Sequence, residues 1–342
     1  MRFLARFVLA LLSAQTVCLW RLAPLFPSDA SVASRFKRMQ RFVRSFDLDM
    51  DGLARLLARV AQVPAPWVLS LDRTNWKLGR AELNVLMLCV VHQGVGFPLL
   101  WTVLSKDSTD GKSSRVGKAG NSRSEERAAL MQRFIQVFGA DAVQFVCADR
   151  EFVSRAWLVW LQEAGIGFRL RLKGDTLVSH QNEQVCADWL FRHCAVGRER
   201  CLGKRQVLGR QVWVSGTKLA SGDFLIVVAD PASGLSDYGL RWGIETLFGA
   251  FKSRGFHLEE THVTDPERLG RLVGLLSVAY CWAFAAGSWL SQTKPLALKK
   301  HGRLPASLVR RGLDFLRPIA LRLCATDNND DLQQALTFLS CT

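Results

Sequence analysis

The feature that most constrains the fold is a change of sequence pattern at Trp67. From this residue onward the apolar runs become short and rich in β-branched side chains, and the first three cover residues 67–71, 83–91 and 98–104. Gly94 and Gly96 lie between the last two runs. Short apolar runs separated by turn residues are typical of strands, so three antiparallel strands are predicted here.

The next segment predicts alternating helix and strand. A polar stretch over 106–123 predicts an exposed loop, and Ser122 with Glu125 predicts a capping box that opens a helix over 124–138. The elements predicted after it are a strand over 143–148, a helix over 153–164 and a strand over 168–172. A strand meander followed by alternating helix and strand favours an α/β fold with a mixed sheet.

Two aspartates close apolar strands in this region. Asp72 follows the first apolar run, and Asp149 follows the run that precedes the second helix. A carboxylate at the end of a buried strand is costly unless it is paired or bound to a metal ion. Each could pair with its neighbour, Arg73 or Arg150. Glu151 is a rival carboxylate, but strand alternation does not place it at the buried strand's end.

Residues 173–222 interrupt the alternation of helix and strand. They contain the following strand candidates and turn signals: Gln206–Leu208, Val212–Val214, Gly203, Gly209 and Gly216. This composition predicts a β-rich insertion. After it, Phe224–Ala229 predicts a further strand, and a long helix is predicted from about Leu235.

That long helix carries four polar residues on one face. At about 100° per residue, Tyr238, Arg241, Glu245 and Lys252 fall within about 60° of arc, and five apolar side chains fall on the neighbouring and opposite arc. The predicted arrangement directs a carboxylate into a cleft beside an arginine, a lysine and a tyrosine. Such a set suits phosphodiester cleavage, because carboxylates bind Mg²⁺ and cations hold phosphates. The alternative is a surface helix with an i, i+4 ion pair between Arg241 and Glu245.

The charge of the chain favours a phosphate-bearing partner. Its 342 residues include 45 Lys plus Arg against 30 Asp plus Glu, a net charge of +15. Residues 1–66 predict a helical module, in which apolar side chains recur at helical spacing between basic residues: Arg35, Lys37, Arg38, Arg41 and Arg44. This pattern fits a DNA-binding module, and it fits a solvated helix face equally well.

Two hydrophobic segments raise a different possibility, an exported or membrane protein. Residues 7–12 follow two arginines, and residues 272–290 form an uncharged run long enough to span a bilayer. We expect the second to be a buried helix packed on the sheet.

The nine scattered cysteines predict a reduced, intracellular protein. His193, Cys194 and Cys201 lack a second ligand pair at zinc spacing.

The four polar residues of the long helix resemble a known signature. Tyr238-x2-Arg241-x3-Glu245-x6-Lys252 is similar to the signature of the insertion-sequence-four transposases, a DDE branch of the ribonuclease-H-like superfamily. The family's two aspartate motifs resemble Leu71-Asp72-Arg73-Thr74 and Ala148-Asp149-Arg150-Glu151-Phe152. The segment Gly249–Phe256 resembles the sequence after the glutamate, and the likeness covers residues 67–315.

The resemblance implies an architecture. It is a ribonuclease-H-like mixed sheet flanked by helices, with a β-rich insertion and helical N- and C-terminal modules. The expected divisions are an N-terminal module 1–66, a first core part 67–172, the insertion 173–222, a second core part 223–292 and a C-terminal region 293–342.

The resemblance also implies an activity. It is cut-and-paste DNA transposition, with Asp72, Asp149 and Glu245 holding two Mg²⁺ ions, for which Mn²⁺ can substitute. Tyr238, Arg241 and Lys252 would contact DNA phosphates, and a tryptophan of the insertion, Trp213 or else Trp189, would support a flipped base. Further expectations are transposon-end and target DNA as partners, a homodimer on DNA, no membrane, and a bacterial cytoplasmic location at the nucleoid. The alternatives are a nuclease without joining activity and a catalytically silent DNA-binding remnant.

Overall fold

In the computed structural model, the described residues are 2–26, 28–78, 81–104, 122–295, 297 and 305–325. Of the loop predicted over 106–123, positions 106–121 lie outside the described residues.

The described strands form one mixed sheet. Their bounds are β1 Trp67–Leu78, β2 Ala81–His92, β3 Val95–Val103, β4 Val143–Ala148, β5 Phe168–Arg171, β6 Leu177–His180, β7 Glu183–Cys186, β8 Arg200–Val207, β9 Arg210–Lys218 and β10 Phe224–Asp230. The order across the sheet is β3-β2-β1-β4-β5-β10-β9-β8-β6-β7. The first three strands are antiparallel, whereas β1, β4 and β5 run parallel. This arrangement confirms the predicted ribonuclease-H-like mixed sheet.

Helices flank the sheet and make up both ends of the described chain. Their bounds are α1 Arg2–Ala14, α2 Leu19–Leu22, α3 Val32–Ser45, α4 Met50–Ala61, α5 Ser124–Phe138, α6 Arg155–Glu163, α7 Ala187–Phe191, α8 Leu235–Gly239, α9 Trp242–Phe251, α10 Pro266–Thr293 and α11 Leu308–Ala325. The division of the chain into modules stays a prediction.

The first strand is longer than predicted, so Asp72 lies within β1 and does not close it. The strand continues because its antiparallel pairing with β2 runs to Leu78 opposite Ala81. Its parallel pairing with β4, however, ends at Leu71 opposite Ala148. Asp72 is therefore the first residue of β1 beyond the β4 ladder, at the same edge of the sheet where the chain leaves β4.

The β2–β3 hairpin positions α9. Gln93 and Gly94 form its turn with φ of 50° and 74°, and two positive φ values suit a tight hairpin connection. Beyond the turn, a Cβ at Gly96 would lie 2.8 Å from the carbonyl oxygen of Gly243. A Cβ at Gly243 would lie 2.5 Å from Val91. Glycine at both positions lets α9 pack directly on the hairpin.

The helix predicted from about Leu235 is broken, so the prediction of one continuous helix is wrong. It consists of α8 and α9, with Arg241 at the N-cap of α9 and Lys252 at its C-cap. Glycine inside a helix is destabilising, and two glycines, Gly239 and Gly243, flank the break. The close approach of Gly243 to the hairpin fixes the direction of α9.

The capping box of α5 is shifted by one residue from its prediction. The backbone N–H of Arg123 donates to the Glu126 carboxylate at 2.6 Å, so Arg123 is the N-cap residue in place of Ser122. Ser122 is buried and accepts a 2.8 Å hydrogen bond from Arg127. Its hydroxyl therefore stabilises a buried arginine.

Of the strands predicted in the insertion, Val212–Val214 is confirmed as part of β9, whereas Gln206–Leu208 is confirmed only to Val207, where β8 ends. Gly209 lies in the turn between β8 and β9, with a φ of 78°. The predicted turns at Gly203 and Gly216 are wrong, since both residues lie within strands. A Cβ at Gly216 would lie 2.8 Å from the Phe191 ring, so glycine there makes room for an aromatic side chain. Through β10, these strands extend the sheet of the core.

The hydrophobic run 272–290 forms most of α10. By length and hydropathy α10 could cross a membrane, as could the bent pair of segments 2–14 and 19–25, but 72% of the apolar window of α10 is buried within the protein. Tyr280 donates to the carbonyl of Gly96 at 3.0 Å, and Trp101 of β3 donates to the carbonyl of Gly270 at 2.9 Å. This packing is that of the core helix expected from the sequence.

Candidate active site

The two aspartates occupy neighbouring positions at one edge of the sheet. Asp72 is buried, with 8% of its surface exposed, and its Oδ1 accepts from the backbone N–H of Arg73 at 2.8 Å. Asp149 directly follows β4 and accepts at Oδ1 from the Tyr238 hydroxyl at 3.3 Å. Arg171 Nη1 lies 3.7 Å from the same oxygen. The ion pairs considered from the sequence are therefore not the ones observed, since Arg73 contacts Asp72 through its backbone N–H and Asp149 contacts Arg171 in place of Arg150.

Arg241 brings the third carboxylate to this edge. Its Nη1 donates to Asp72 Oδ2 at 2.8 Å and to Glu245 Oε1 at 3.4 Å. Its guanidinium also lies 6.0 Å from the ring centroid of Tyr238, the residue bonded to Asp149. Five predicted site residues therefore belong to one connected network: Asp72, Asp149, Tyr238, Arg241 and Glu245.

Burial or neighbouring charges raise the pKa values of three members of this network, Asp72, Tyr238 and Arg241. Burial raises the pKa of Asp72 to about 7, and the nearby Glu245 and Glu151 add to the shift, against the N–H of Arg73 and the charge of Arg241. Burial also raises the pKa of Tyr238, so its hydroxyl stays protonated and can donate. Burial disfavours the charged form of Arg241, yet its acidic neighbours raise its pKa overall.

Lys252 and Trp213 lie outside this network. Lys252 Nζ donates to the carbonyl of Asn75 at 3.0 Å and pairs with Glu259 at 2.9 Å. It thus lies on the rim of β1, three residues beyond Asp72. Trp213 lies in β9, with Lys204 Nζ 5.9 Å from its ring centroid.

Comparison with protein families identifies the domain that carries these carboxylates. Residues 65–282 match the transposase DDE domain. The chain belongs to this family. The matched segment of this DDE transposase contains Asp72, Asp149 and Glu245, and domains of this family generally use divalent metal ions.

Among solved structures, a piggyBac transposase synaptic complex with hairpin DNA, determined by cryo-EM, is similar to this DDE transposase. The match has 14% sequence identity and a TM-score of 0.47, and it covers 98% of this chain and 75% of that one. No curated protein sequence matches the chain.

The donor set of the DDE transposase fits a hard divalent cation. Carboxylate oxygens are the ligands that Mg²⁺ and Mn²⁺ prefer. A cation would also offset the cost of burying the Asp72 carboxylate, which its raised pKa reflects. Within the described part of the chain, no three Asp, Glu, His or Cys side chains are gathered at metal-binding spacing. In this structure the Arg241 guanidinium bridges Asp72 and Glu245.

Sequence reasoning considered Glu151 only as a rival ligand and did not find Arg127, and both residues support the second aspartate motif. Glu151 forms a two-point ion pair with Arg73, at 2.6 and 2.9 Å. The buried Arg127 donates to the carbonyl of Phe152 at 2.6 Å, which fixes the turn after Asp149. Arg127 carries no signal for this role, since a basic residue in an amphipathic helix normally indicates an exposed position.

Proposed function

We propose that this DDE transposase catalyses cut-and-paste transposition of an insertion-sequence-four element, by cleaving DNA at the element's ends and joining the freed 3′ ends to target DNA. The observation that carries the proposal is the single network containing Asp72, Asp149 and Glu245 at one edge of the sheet. A set of three carboxylates, of which Asp72 is buried, with cations beside them suits phosphoryl transfer.

The three carboxylates would hold the metal ions. When bound, two Mg²⁺ or Mn²⁺ ions would activate the attacking oxygen and stabilise the leaving oxygen. Asp72 and Asp149 are anchored on β1 and at the end of β4, so the sheet fixes their separation. Glu245 is carried by α9, whose position the Gly96–Gly243 contact fixes.

The cations and the tyrosine would orient the DNA. Arg241 reaches both Asp72 and Glu245, so it can neutralise a phosphate held beside them. Lys252 at the rim of β1 would hold a phosphate further along the strand. Tyr238 would keep Asp149 in place or donate to a phosphate oxygen. Trp213 of the insertion would support a flipped base.

The proposal extends to partners and location. Cut-and-paste transposition pairs two element ends, so a homodimer on transposon-end and target DNA is expected. The net charge of +15 supports a DNA partner. We propose a bacterial cytoplasmic location at the nucleoid without membrane insertion, and the burial of most of the apolar window of α10 supports this.

The testing experiment is cleavage and joining of a plasmid that carries the gene with its native flanks, in Mg²⁺ or Mn²⁺. Glu245→Gln keeps the shape of the side chain and removes its charge, so we expect it to abolish both products. Glu267→Gln is the matched control, because its side chain is 80% exposed and pairs with Arg271 on α10. Cleavage without joined product would indicate a nuclease. DNA binding without cleavage by the wild type would indicate a silent remnant.

A further inference from the structure

A cleft of about 760 Å³ lies apart from the carboxylate network, between the N-terminal helices and the segment that joins α9 to α10. On one side it is lined by Trp20 and by residues of α3. On the other side it is lined by residues 262–265 and by Arg268 of α10. None of the carboxylates proposed for catalysis lines this cleft.

The α3 side of the cleft is strongly basic. Lys37, Arg41 and Arg44 follow one another at helical spacing and are exposed. Within the described residues, their side chains have no hydrogen-bond or ion-pair partner. Arg21 and Arg268, by contrast, pair with acidic residues at 3.0 and 3.8 Å. Three unpaired cations lining one cleft leave their charge available to an anionic ligand.

An exposed aromatic ring accompanies these cations. Trp20 is 55% exposed, although it is among the largest apolar side chains. Its ring meets Phe36 edge-on, with centroids 5.3 Å apart and planes at 75°. Cations along a groove together with an exposed aromatic ring are the combination that binds single-stranded nucleic acid, because phosphates need the charge and unstacked bases need the ring.

We infer that the cleft binds a short unpaired stretch of DNA strand, with its phosphates at Lys37, Arg41 and Arg44 and a base stacked on Trp20. The inference rests on the proposed function, in which DNA cleavage supplies unpaired strand ends. The backbone of a duplex would contact the cations, but its paired and stacked bases would not stack on the indole ring.

The position of the cleft supports this assignment. The segment that forms its far side begins at His262, two residues after Glu260. Glu259 pairs with Lys252 on the rim of β1, and Glu260 pairs with Arg21, the neighbour of Trp20. A chain of contacts thus links the rim of the carboxylate site to the mouth of the cleft. A strand that passes Lys252 would be directed toward it.

The test measures binding of a fluorescently labelled eight-nucleotide oligothymidine, dT8, to the full chain by anisotropy. Trp20→Ala should raise the Kd about tenfold, since it removes one stacked base. Trp20→Phe keeps a ring and should retain most of the affinity. Trp289→Ala is the matched control, because this tryptophan is 46% exposed but lies outside the cleft. Its Kd should equal that of the wild type.

A second pair of variants tests the phosphate contacts. Arg41→Ala/Arg44→Ala should weaken dT8 binding and lower the slope of log Kd against log salt by about 1.4, roughly 0.7 for each phosphate that an arginine no longer neutralises. Arg55→Ala/Arg59→Ala removes two exposed charges from α4 as the control and should leave the slope unchanged.

Three results would overturn the inference. They are equal Kd values for Trp20→Ala and Trp289→Ala, equal competition by a blunt eight-base-pair duplex, and displacement of dT8 by polyglutamate as readily as by unlabelled dT8. Plasmid cleavage is measured on the same proteins. If cleavage is intact but dT8 binding does not depend on Trp20, only the assignment of the cleft is overturned. If cleavage is absent but dT8 binding depends on Trp20, the assignment of the cleft stands and the proposed catalysis is contradicted.

Discussion

The carboxylate network and the α3 cleft both contain arginines, but they differ in how the protein balances the charge. In the network, the buried Arg241 lies 2.8 Å from Asp72 and 3.4 Å from Glu245. In the cleft, Arg41 and Arg44 are exposed, and their side chains have no hydrogen-bond or ion-pair partner among the described residues. Charges fixed by the protein's own carboxylates are preorganised for chemistry, whereas unpaired exposed charges bind phosphates from outside. The two regions should therefore respond differently to substitution.

The largest expected effect is on cleavage. Asp72→Asn or Asp149→Asn removes a proposed metal ligand and should reduce plasmid cleavage by roughly 10³-fold or more. Binding of dT8 by the same variants should stay within twofold of the wild type, because the cleft is separate. Arg41→Ala/Arg44→Ala should weaken dT8 binding in 50 mM salt and leave plasmid cleavage close to that of the wild type. If the cleft variant loses as much cleavage activity as the aspartate variants, the cleft and the carboxylate network are not functionally separate.

The next effect concerns pH and stability, and it belongs to the network alone. The folded-state pKa of Asp72 is raised to about 7 from an ordinary value of 3.8, so its contribution to stability is complete below pH 4 and is lost as pH rises through about 7. Between pH 4.5 and 8 in EDTA, the unfolding free energy of the wild type should fall relative to that of Asp72→Asn by roughly 3 kcal/mol. Denaturant titration measures the difference, and no change with pH would contradict it.

A smaller effect separates the two neighbouring carboxylates of the second aspartate motif. Glu151→Gln breaks the two-point ion pair with Arg73 and should lower the unfolding free energy by about 1–2 kcal/mol. Cleavage should stay within about tenfold of the wild type, because the role of Glu151 is to support the turn after Asp149. A loss of cleavage equal to that of Asp149→Asn would make Glu151 the better candidate ligand.

The smallest effect is expected at the tyrosine. Tyr238→Phe removes one hydrogen bond of 3.3 Å to Asp149 and should slow cleavage about fivefold. The affinity for dT8 should be unchanged, because Tyr238 does not line the cleft. A change in dT8 affinity similar to that caused by Trp20→Ala would mean that the network and the cleft are not separate.

The sequence predicts the individual helices and strands of the fold better than it predicts how they pair and pack with one another. The hairpin around Gly94 and the strand before Asp149 are confirmed, because short apolar runs and turn residues are local signals. The continuation of β1 to Leu78 has no such signal, since its outer half carries polar side chains and is held by pairing with β2. The extension of the sheet through β10 rests on contacts between distant segments, which no local pattern records.

The same limit applies to the site. Helical spacing places Arg241 and Glu245 together, and the i, i+4 contact at 3.4 Å confirms that proximity. The same spacing predicts Lys252 beside them, but Lys252 lies at the C-cap of α9, where its Nζ contacts the carbonyl of Asn75 and the carboxylate of Glu259. The pairing of Asp149 with Arg171 depends on the parallel arrangement of β4 and β5.

The central claim is that the three carboxylates contact a divalent metal ion during DNA cleavage, and exchange of a ligand atom tests it most directly. Asp149→Cys should be inactive in Mg²⁺, which prefers oxygen ligands, and should recover cleavage in Mn²⁺, a transition metal that tolerates a thiolate better. Glu151→Cys is the matched variant two residues away and should show no such dependence on the metal. Recovery by Mn²⁺ in Asp149→Cys alone supports the site. Equal recovery in both variants, or none in Asp149→Cys while the wild type cleaves in both metals, would contradict it.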